Sequence, residues 1–237
     1  NNPALEEAAL DMLVSQRAIG AIYTTLITRQ VSLPDSFLAL PLVLLNCYER
    51  KLRHPSVVPG DIVAGFTAAE TLLKAGHRRI AHLAGEHIVE AAIDRERGFR
   101  MAMEKWGAPV DESLVTLGGW TIRAGRERAA ALLGRPDPPT AIFCFNDRMA
   151  IGCYEAARAL GLRVPEDLSI VGFDDEDLAA NMDPPLTTLQ LPHDEMARWA
   201  VGQILDGFEG ADADERLQKI KIECELVWRD SVAPPRR

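Results

Sequence analysis

The sequence predicts an α/β fold with parallel sheets, and three observations support this prediction. Short apolar runs typical of buried strands alternate with amphipathic stretches of helical periodicity through most of the 237 residues. The connections between these stretches are short, as in strand–helix–strand units. A glycine directly follows four of the predicted helices, at the position that closes a last helical turn (Gly76, Gly107, Gly134 and Gly161). This alternation favours parallel strands covered by helices on both faces.

The predicted elements follow one another in a regular order. The helix beginning at Asp61 is representative, because Ile62, Phe66 and Ala69 lie at helical spacing. In the first helix, Asn2 is placed as the N-cap and Pro3 at the first position. The predicted helices span residues 3–16, 61–75, 94–106, 122–133, 147–160, 176–179 and 193–208. The predicted strands span residues 19–25, 42–46, 79–83, 114–117, 141–145, 168–173, 186–191 and 219–227.

The composition restricts the possible partners and the compartment. With 26 Lys and Arg against 35 Asp and Glu, the formal net charge is −9, which argues against nucleic-acid binding by a dominant basic face of this chain. The sequence predicts neither a secretory peptide nor a membrane span, so no membrane partner is expected. None of the four cysteines forms a C-x-x-C pair, which indicates free thiols in a reducing, cytoplasmic compartment.

The beginning of the chain leaves two alternatives open. A helix leads into the first strand, so the first sheet has no strand before that helix. Either this sheet is small, or a segment that precedes the chain completes it.

The residues that follow the strands predict a ligand site. In open parallel sheets, ligands bind outside the carboxyl ends of the strands. The candidates there are rich in hydroxyl, amide and carboxylate groups, with Arg95 and Arg97 placed in the first turn of the helix after the third strand. Such groups, with one tryptophan face, suit a neutral ligand with many hydroxyls, a sugar or nucleoside, better than a phosphate. The candidates are Thr24, Thr25, Asn46, Gly85, Glu86, Gly118, Gly119, Trp120, Asn146, Asp147, Asp174 and Asp175.

Structural roles compete with binding at each of these positions. Asn146 or Asp147 could cap the helix that starts there, and Asp174 could cap the short helix after it. Arg95 could be a solvated helix residue, and Trp120 could be part of the core. Asn46 could satisfy loose backbone groups at the end of its strand, and a structural role is favoured for Thr24.

Signatures of catalysis and of cofactor binding are absent from the sequence. There is no phosphate-binding P-loop, no dinucleotide-binding glycine turn and no G-x-S-x-G nucleophile motif. The five histidines do not fall at metal-ligand spacing, and His77 is interpreted as a cation at a helix terminus. The sequence therefore predicts a binding protein without enzymatic activity, metal or cofactor.

Five stretches, specific in their order and spacing, resemble one known family. They lie at residues 75–81, 95–100, 138–147, 164–175 and 184–188. Together they resemble the effector-binding core of the lactose/galactose-repressor family of bacterial transcription regulators, over nearly the whole chain. The resemblance implies two Rossmann-like lobes of the periplasmic-binding-protein-like fold, type I. Three crossover strands would join the lobes, with the effector in the cleft between them.

The resemblance also implies lobe boundaries and site residues. The first lobe would comprise residues 1–58 and 191–213, without its opening strand–helix–strand, and the second residues 59–190 and 214–237. The family's effector contacts map onto Arg95, Trp120, Asn146, Asp174 and Asn46.

This sequence departs from the family pattern at three places. Leu191 stands where the family often has a glutamine, so one polar crossover contact is expected to be lost. The stretch at residues 58–61 differs from the usual Asp-Asn pair. The helix-turn-helix headpiece is not part of this sequence.

The expected function is that of an effector-sensing core of a repressor. A sugar or related small molecule would shift the population of a homodimer between states that differ in affinity for operator DNA, which the headpiece would contact. The alternative is a periplasmic-type sugar-binding protein of a transporter. The reading frame upstream discriminates between them, because it would encode a headpiece in one case and a secretory peptide in the other. A sugar hydrolase using Asp174 with Glu86 ranks third.

Overall fold

The computed structural model describes residues 3–206 and 217–236. The chain divides into two compact units: Asn1–Pro59 with Pro192–Ile222, and Gly60–Leu191 with Glu223–Arg237. The boundaries were expected after residues 58 and 190, and the structure places each of them one residue later, after Pro59 and Leu191. The boundary expected after residue 213 lies outside the described residues, as does Asn2, whereas the division places the third boundary after Ile222.

The first unit contains a four-stranded parallel sheet. Its strands, in spatial order, are β1 (Ala21–Val31), β2 (Leu42–Glu49), β3 (Ser56–Pro59) and β9 (Lys219–Ile222). The helices of this unit are α1 (Pro3–Ser15) and α7 (His193–Asp206), with a 3-10 helix at Asp35–Ala39. Helix α7 packs Met196, Ala200 and Ile204 against Val43 and Val57 of the sheet.

The second unit contains a six-stranded sheet. Its strands, in spatial order, are β10 (Leu226–Val227), β8 (Thr187–Gln190), β7 (Ser169–Asp174), β6 (Ala141–Cys144), β4 (Ile80–Leu83) and β5 (Val115–Thr116). All its pairs are parallel except β10 with β8. The helices of this unit are α2 (Asp61–Lys74), α3 (Glu90–Lys105), α4 (Ile122–Leu133), α5 (Asp147–Ala159) and α6 (Asp177–Ala180). Residues of helices α2 and α3 form a core with one set of strand side chains, and residues of α4 and α5 form a core with the alternate set.

The predicted α/β class with parallel sheets is confirmed, but several element bounds were wrong. β1 does not end at residue 25, because it continues through a register shift between Thr24 and Arg29 and pairs with β2 up to Val31. The predicted strand at residues 219–227 is two strands, β9 and β10, which belong to different sheets. Helix α3 begins four residues earlier than predicted, and strand β3 was not predicted.

The interpretation of His77 as a helix-terminal cation was also wrong. His77 is buried, and its ring nitrogens lie 2.9 Å from Thr140 Oγ1, 3.0 Å from Ser169 Oγ and 2.9 Å from the Ala233 carbonyl. Burial lowers its pKa below the ordinary histidine value. His77 therefore links the C-terminal segment to the start of the sheet through buried hydrogen bonds.

The cysteines agree with a further expectation. All four cysteines are buried free thiols (Cys47, Cys144, Cys153 and Cys224). Among the described residues, none of the helices combines the length and the apolar character that a membrane crossing requires.

Candidate functional site

Three of the predicted site residues lie at the carboxyl edge of the second unit's sheet or bond to it. Asp174 is the last residue of β7, and Asn146 follows β6 as the N-cap of α5. Arg95 lies in the second turn of α3 and reaches the same edge. Its Nη1 donates a 2.7 Å hydrogen bond to the carbonyl of Phe145, the residue that precedes Asn146. Parallel strands end at one edge of a sheet, so the topology brings these residues together.

The Arg95 side chain is buried, and aromatic rings flank its guanidinium. Its guanidinium carbon lies 3.3 Å from the ring centre of Phe173 and 4.7 Å from that of Phe145. Its Nη1 lies 3.9 Å from Asp174 Oδ1. The alternative of a solvated arginine is therefore excluded, because this cation is fixed by packing and by hydrogen bonds beside a carboxylate.

Asp61 orients Arg95 and was missed by the sequence reasoning. Arg95 Nε donates a 2.8 Å hydrogen bond to Asp61 Oδ1, and both side chains are buried. The close approach of α2 and α3 permits this pair, since a Cβ on Gly65 would lie closer than 3.0 Å to the Arg95 backbone. Asp61 comes soon after β3, so recognition of that strand would have placed it among the strand-end candidates.

Asp174 combines partial burial with an unusual backbone conformation. Its φ is 108°, and Asp175 follows with a φ of 56°, so two successive non-glycine residues lie in the region that favours glycine. Burial raises the pKa of Asp174 to about 6, although the charge of Arg95 acts in the opposite direction. The predicted alternative of Asp174 as a helix cap is wrong, because Glu176 occupies the N-cap position of α6.

Asn146 both caps α5 and fixes the segment that carries Trp120. Its Oδ1 accepts a 2.9 Å hydrogen bond from the amide of Met149, as the capping interpretation predicted. Its Nδ2 donates at 3.1 Å to the carbonyl of Trp120. The Trp120 side chain is 44% exposed, so it is not a core residue, and its ring is available to a ligand.

Asp147 is a second buried carboxyl group at this edge. Its Oδ1 accepts a 2.6 Å hydrogen bond from Thr188 Oγ1, and its Oδ2 accepts a 2.9 Å bond from the amide of Glu176. Burial and the nearby carboxylates of Asp174 and Asp175 raise the pKa of Asp147 to about 7.

Two further candidates, Asn46 and Thr24, belong to the first unit and do not end their strands. Asn46 lies within β2 with a φ of 59°, where its Oδ1 accepts from Thr28 Oγ1 at 2.6 Å and its Nδ2 donates to the Thr25 carbonyl at 3.0 Å. The Asn46 side chain thus satisfies the Thr25 carbonyl where the pairing of β1 and β2 is irregular, as the structural interpretation of Asn46 predicted. Thr24 is exposed within β1, so the premise that it follows a strand was wrong.

The chemical groups at the edge of the second sheet suit a neutral polar ligand. They comprise a fixed fork of donors, a carboxylate, an amide and an exposed indole, contributed by Arg95, Asp174, Asn146 and Trp120. Paired hydrogen bonds from such groups recognise vicinal hydroxyls, while the indole covers an apolar face.

Comparison with known proteins places the chain in a family. The family described as periplasmic binding protein-like domain matches residues 69–232. The chain is 34% identical to the transcriptional repressor CytR of Escherichia coli K12 over 95% of its own length and 66% of that protein. It is 36% identical to the transcriptional regulator DegA of Bacillus subtilis over 98% of its own length and 69% of that protein.

Solved structures show the same relationship. A LacI-family transcriptional regulator from Rhizobium etli matches with a TM-score of 0.88 and 31% identity, over 98% of this chain and 85% of that one. A LacI-family regulatory protein from Chloroflexus aggregans matches with a TM-score of 0.82 and 27% identity, over 96% and 81%.

The fold and the site together define a periplasmic-binding-protein-like domain. The chain belongs to the LacI family of transcriptional regulators, as the sequence motifs led us to expect. It spans slightly less than two thirds of the length of CytR.

Proposed function

We propose that this chain is the effector-sensing core of a repressor that binds a sugar or sugar derivative at the carboxyl edge of the second unit's sheet. The observation that carries the proposal is the buried Arg95 guanidinium, which is stacked on Phe173 and lies 3.9 Å from Asp174. This pair offers a donor fork next to an acceptor, with Asn146 and Trp120 on the neighbouring strand ends. Asn46 and Thr24 stay predictions from the sequence.

The chemistry of the site favours a sugar over an anionic ligand. Asp174 and Asp147 place carboxyl groups at this edge, and a phosphate would be repelled wherever they are ionised. A relative that supports the sugar class is the ribose operon repressor of Haemophilus influenzae, which is 30% identical over 82% of this chain.

The proposed mechanism is a shift of population in a cytoplasmic homodimer. The effector would bind one of two states more tightly, and those states would differ in affinity for operator DNA, which a headpiece outside this chain would contact. The net charge of −9 agrees with DNA contact through another part of the protein. In this mechanism the core is not an enzyme.

The transporter alternative has weaker support. CytR, DegA and the ribose operon repressor carry names of transcription regulators. Four buried free thiols also fit a reducing compartment better than an oxidising one.

Titration calorimetry with a panel of sugars and nucleosides tests the proposed site. We expect one class to bind, and we expect Asp174→Asn and Arg95→Lys each to weaken binding at least tenfold, because each removes a charged or bidentate hydrogen-bonding group. Asp177→Asn is the matched control, since Asp177 is exposed three residues after Asp174 on the same segment. Undiminished binding in both site variants would contradict the site assignment.

A further inference from the structure

We propose that Asp147 is a positioning residue that ties the loop carrying Asp174 to strand β8. This inference rests on the proposed function, in which Asp174 contacts the effector. Asp147 itself is fully buried, so it would act through the loop and not on the effector directly.

Asp147 connects two segments that are distant in sequence. From the first turn of α5, its two carboxyl oxygens accept hydrogen bonds from the Glu176 amide at 2.9 Å and from Thr188 Oγ1 at 2.6 Å. Glu176 follows the Asp174–Asp175 pair, and Thr188 lies in the middle of β8. One side chain therefore fixes both the end of the loop and the adjacent strand.

The loop needs such support because its backbone is strained. Two successive non-glycine residues with positive φ, Asp174 and Asp175, persist only where surrounding contacts determine their conformation. Arg229 Nη2 donates to Asp175 Oδ1 at 2.7 Å, and the Leu191 amide donates to the Asp174 carbonyl at 3.2 Å. The hydrogen bond from the Glu176 amide to Asp147 holds the loop at the residue after Asp175.

The segment fixed by Asp147 is also the one through which the chain leaves the second unit. β8 ends at Gln190, and the unit ends at Leu191, whose amide binds the carbonyl of Asp174. The Asp174 carbonyl is thus bonded directly to the last residue of the unit, and Asp147 with Thr188 links the loop after Asp174 to β8. Asp147 would therefore help to convey occupancy of the site to Leu191, the residue at which the chain leaves the second unit.

Glycine at position 172 allows this arrangement. A Cβ there would lie closer than 3.0 Å to Asp147 Oδ1 and to Leu186 Cδ2. The strand β7 therefore leaves space for this carboxyl group directly behind the residues that carry the candidate site.

Nuclear magnetic resonance on the unliganded 237-residue chain tests the inference. The two readouts are hydrogen-exchange protection of the Glu176 amide and the pKa of the Asp174 carboxyl, followed through its ¹³C shift. We expect Asp147→Ala to reduce that protection at least tenfold, because the Glu176 amide loses the side-chain acceptor that holds it. We also expect the pKa of Asp174 to fall, because a released loop exposes its carboxyl to water.

A conservative variant separates position from charge. Asp147→Asn can still accept from the Glu176 amide and can donate to Thr188 Oγ1, so we expect it to restore the protection of Glu176. Asp147→Ala and Asp147→Asn both remove the carboxyl group at position 147, so its charge does not distinguish them. If the pKa of Asp174 is lower in Asp147→Ala than in Asp147→Asn, the difference therefore reports the position of the loop. Thr188→Val keeps the charge and should lower the protection by a smaller factor, and it also serves if Asp147→Ala does not fold.

The control is Asp177→Ala, which removes an exposed carboxylate from the same segment. Glu176 protection within twofold of wild type in Asp147→Ala, or an equal loss in Asp177→Ala, overturns the inference. If no panel compound binds at Asp174 while these shifts occur, the proposed function fails and the positioning role of Asp147 stands.

Discussion

Arg95 Nε donates a hydrogen bond to Asp61 Oδ1 across 2.8 Å, and both side chains are buried. The ring of Phe173 stacks on the guanidinium, and the Phe145 carbonyl accepts a hydrogen bond from its Nη1. A buried cation is tolerated when its donors are satisfied and an opposite charge is close. The donor fork that faces Asp174 is therefore held in place by Asp61, a residue from another helix.

Removal of Asp61 should destabilise the second unit strongly. Asp61→Ala removes the carboxylate that is hydrogen-bonded to the buried Arg95 and leaves Asp174, at 3.9 Å, as the nearby opposite charge. We expect the free energy of unfolding to fall by about 3 kcal/mol, measured by urea denaturation. Asp194→Ala is the control, because Asp194 is exposed and its pair with Arg198 is 3.7 Å long. Its effect should stay within about 1 kcal/mol. Similar losses in the two variants would show that Asp61 does not compensate the buried charge.

Most of the second unit could be predicted from the sequence because its elements are regular. Helix α4 matches its predicted bounds, since apolar residues recur at helical spacing between Thr121, which caps the helix with its side chain, and Gly134. The buried strands β4, β6 and β7 were continuous apolar runs, which periodicity and length identify. The edge of this sheet, and with it Asn146 and Asp174, followed from those strands.

Elements that depend on tertiary pairing could not be predicted in this way. Strand β3 has four residues, ends at Pro59 and forms only because β2 and β9 pair with it on either side. Without it, Asp61 could not be placed at a strand end. The positive φ of Asn46 and the register shift after Thr24 likewise arise from the pairing of two strands, for which a single segment carries no signal.

Acidification should destabilise the fold through His82. The ring of His82 stacks with the rings of Phe99 and Phe143, and burial lowers its pKa to about 4. In the unfolded chain a histidine binds a proton below about pH 6.5, so between pH 6.5 and 4 the unfolded state binds more protons. The contribution of His82 to stability is full above pH 6.5 and is lost as the pH falls. We expect wild type to lose up to about 1.4 kcal/mol per pH unit relative to His82→Phe in this window.

The measurement is urea denaturation of both proteins at pH 7.5, 6 and 5. His82→Phe keeps a flat ring against the two phenylalanines, so packing is altered little. A stability difference between the two proteins that does not change with pH would contradict the neutral, buried state of His82.

Asp147 should produce the opposite pH dependence. Its pKa in the folded chain is raised to about 7, against about 3.9 for an unfolded aspartate, so the folded state binds more protons between these values. Its contribution to stability is therefore present below about pH 3.9 and is lost as the pH rises to 7. Relative to wild type, Asp147→Asn should gain stability from pH 4.5 to 7 in urea denaturation, by at most about 1.4 kcal/mol per pH unit. Asp177→Asn, the exposed control, should show no such gain, and a parallel course of Asp147→Asn and wild type would exclude the raised pKa.

Two glycines should respond in opposite directions to the same substitution. Gly172→Ala places a methyl group against Asp147 Oδ1 and Leu186, so we expect a loss of about 1–3 kcal/mol from overpacking. Gly202 lies inside α7, where no described neighbour comes within 4 Å of the place that a methyl group would take, and Gly202→Ala should stabilise the helix by about 0.5–1 kcal/mol. Urea midpoints of the two variants and wild type check both signs. A neutral Gly172→Ala would mean that Asp147 can move away from β7 at no cost, and its carboxyl could then not hold the loop that carries Asp174.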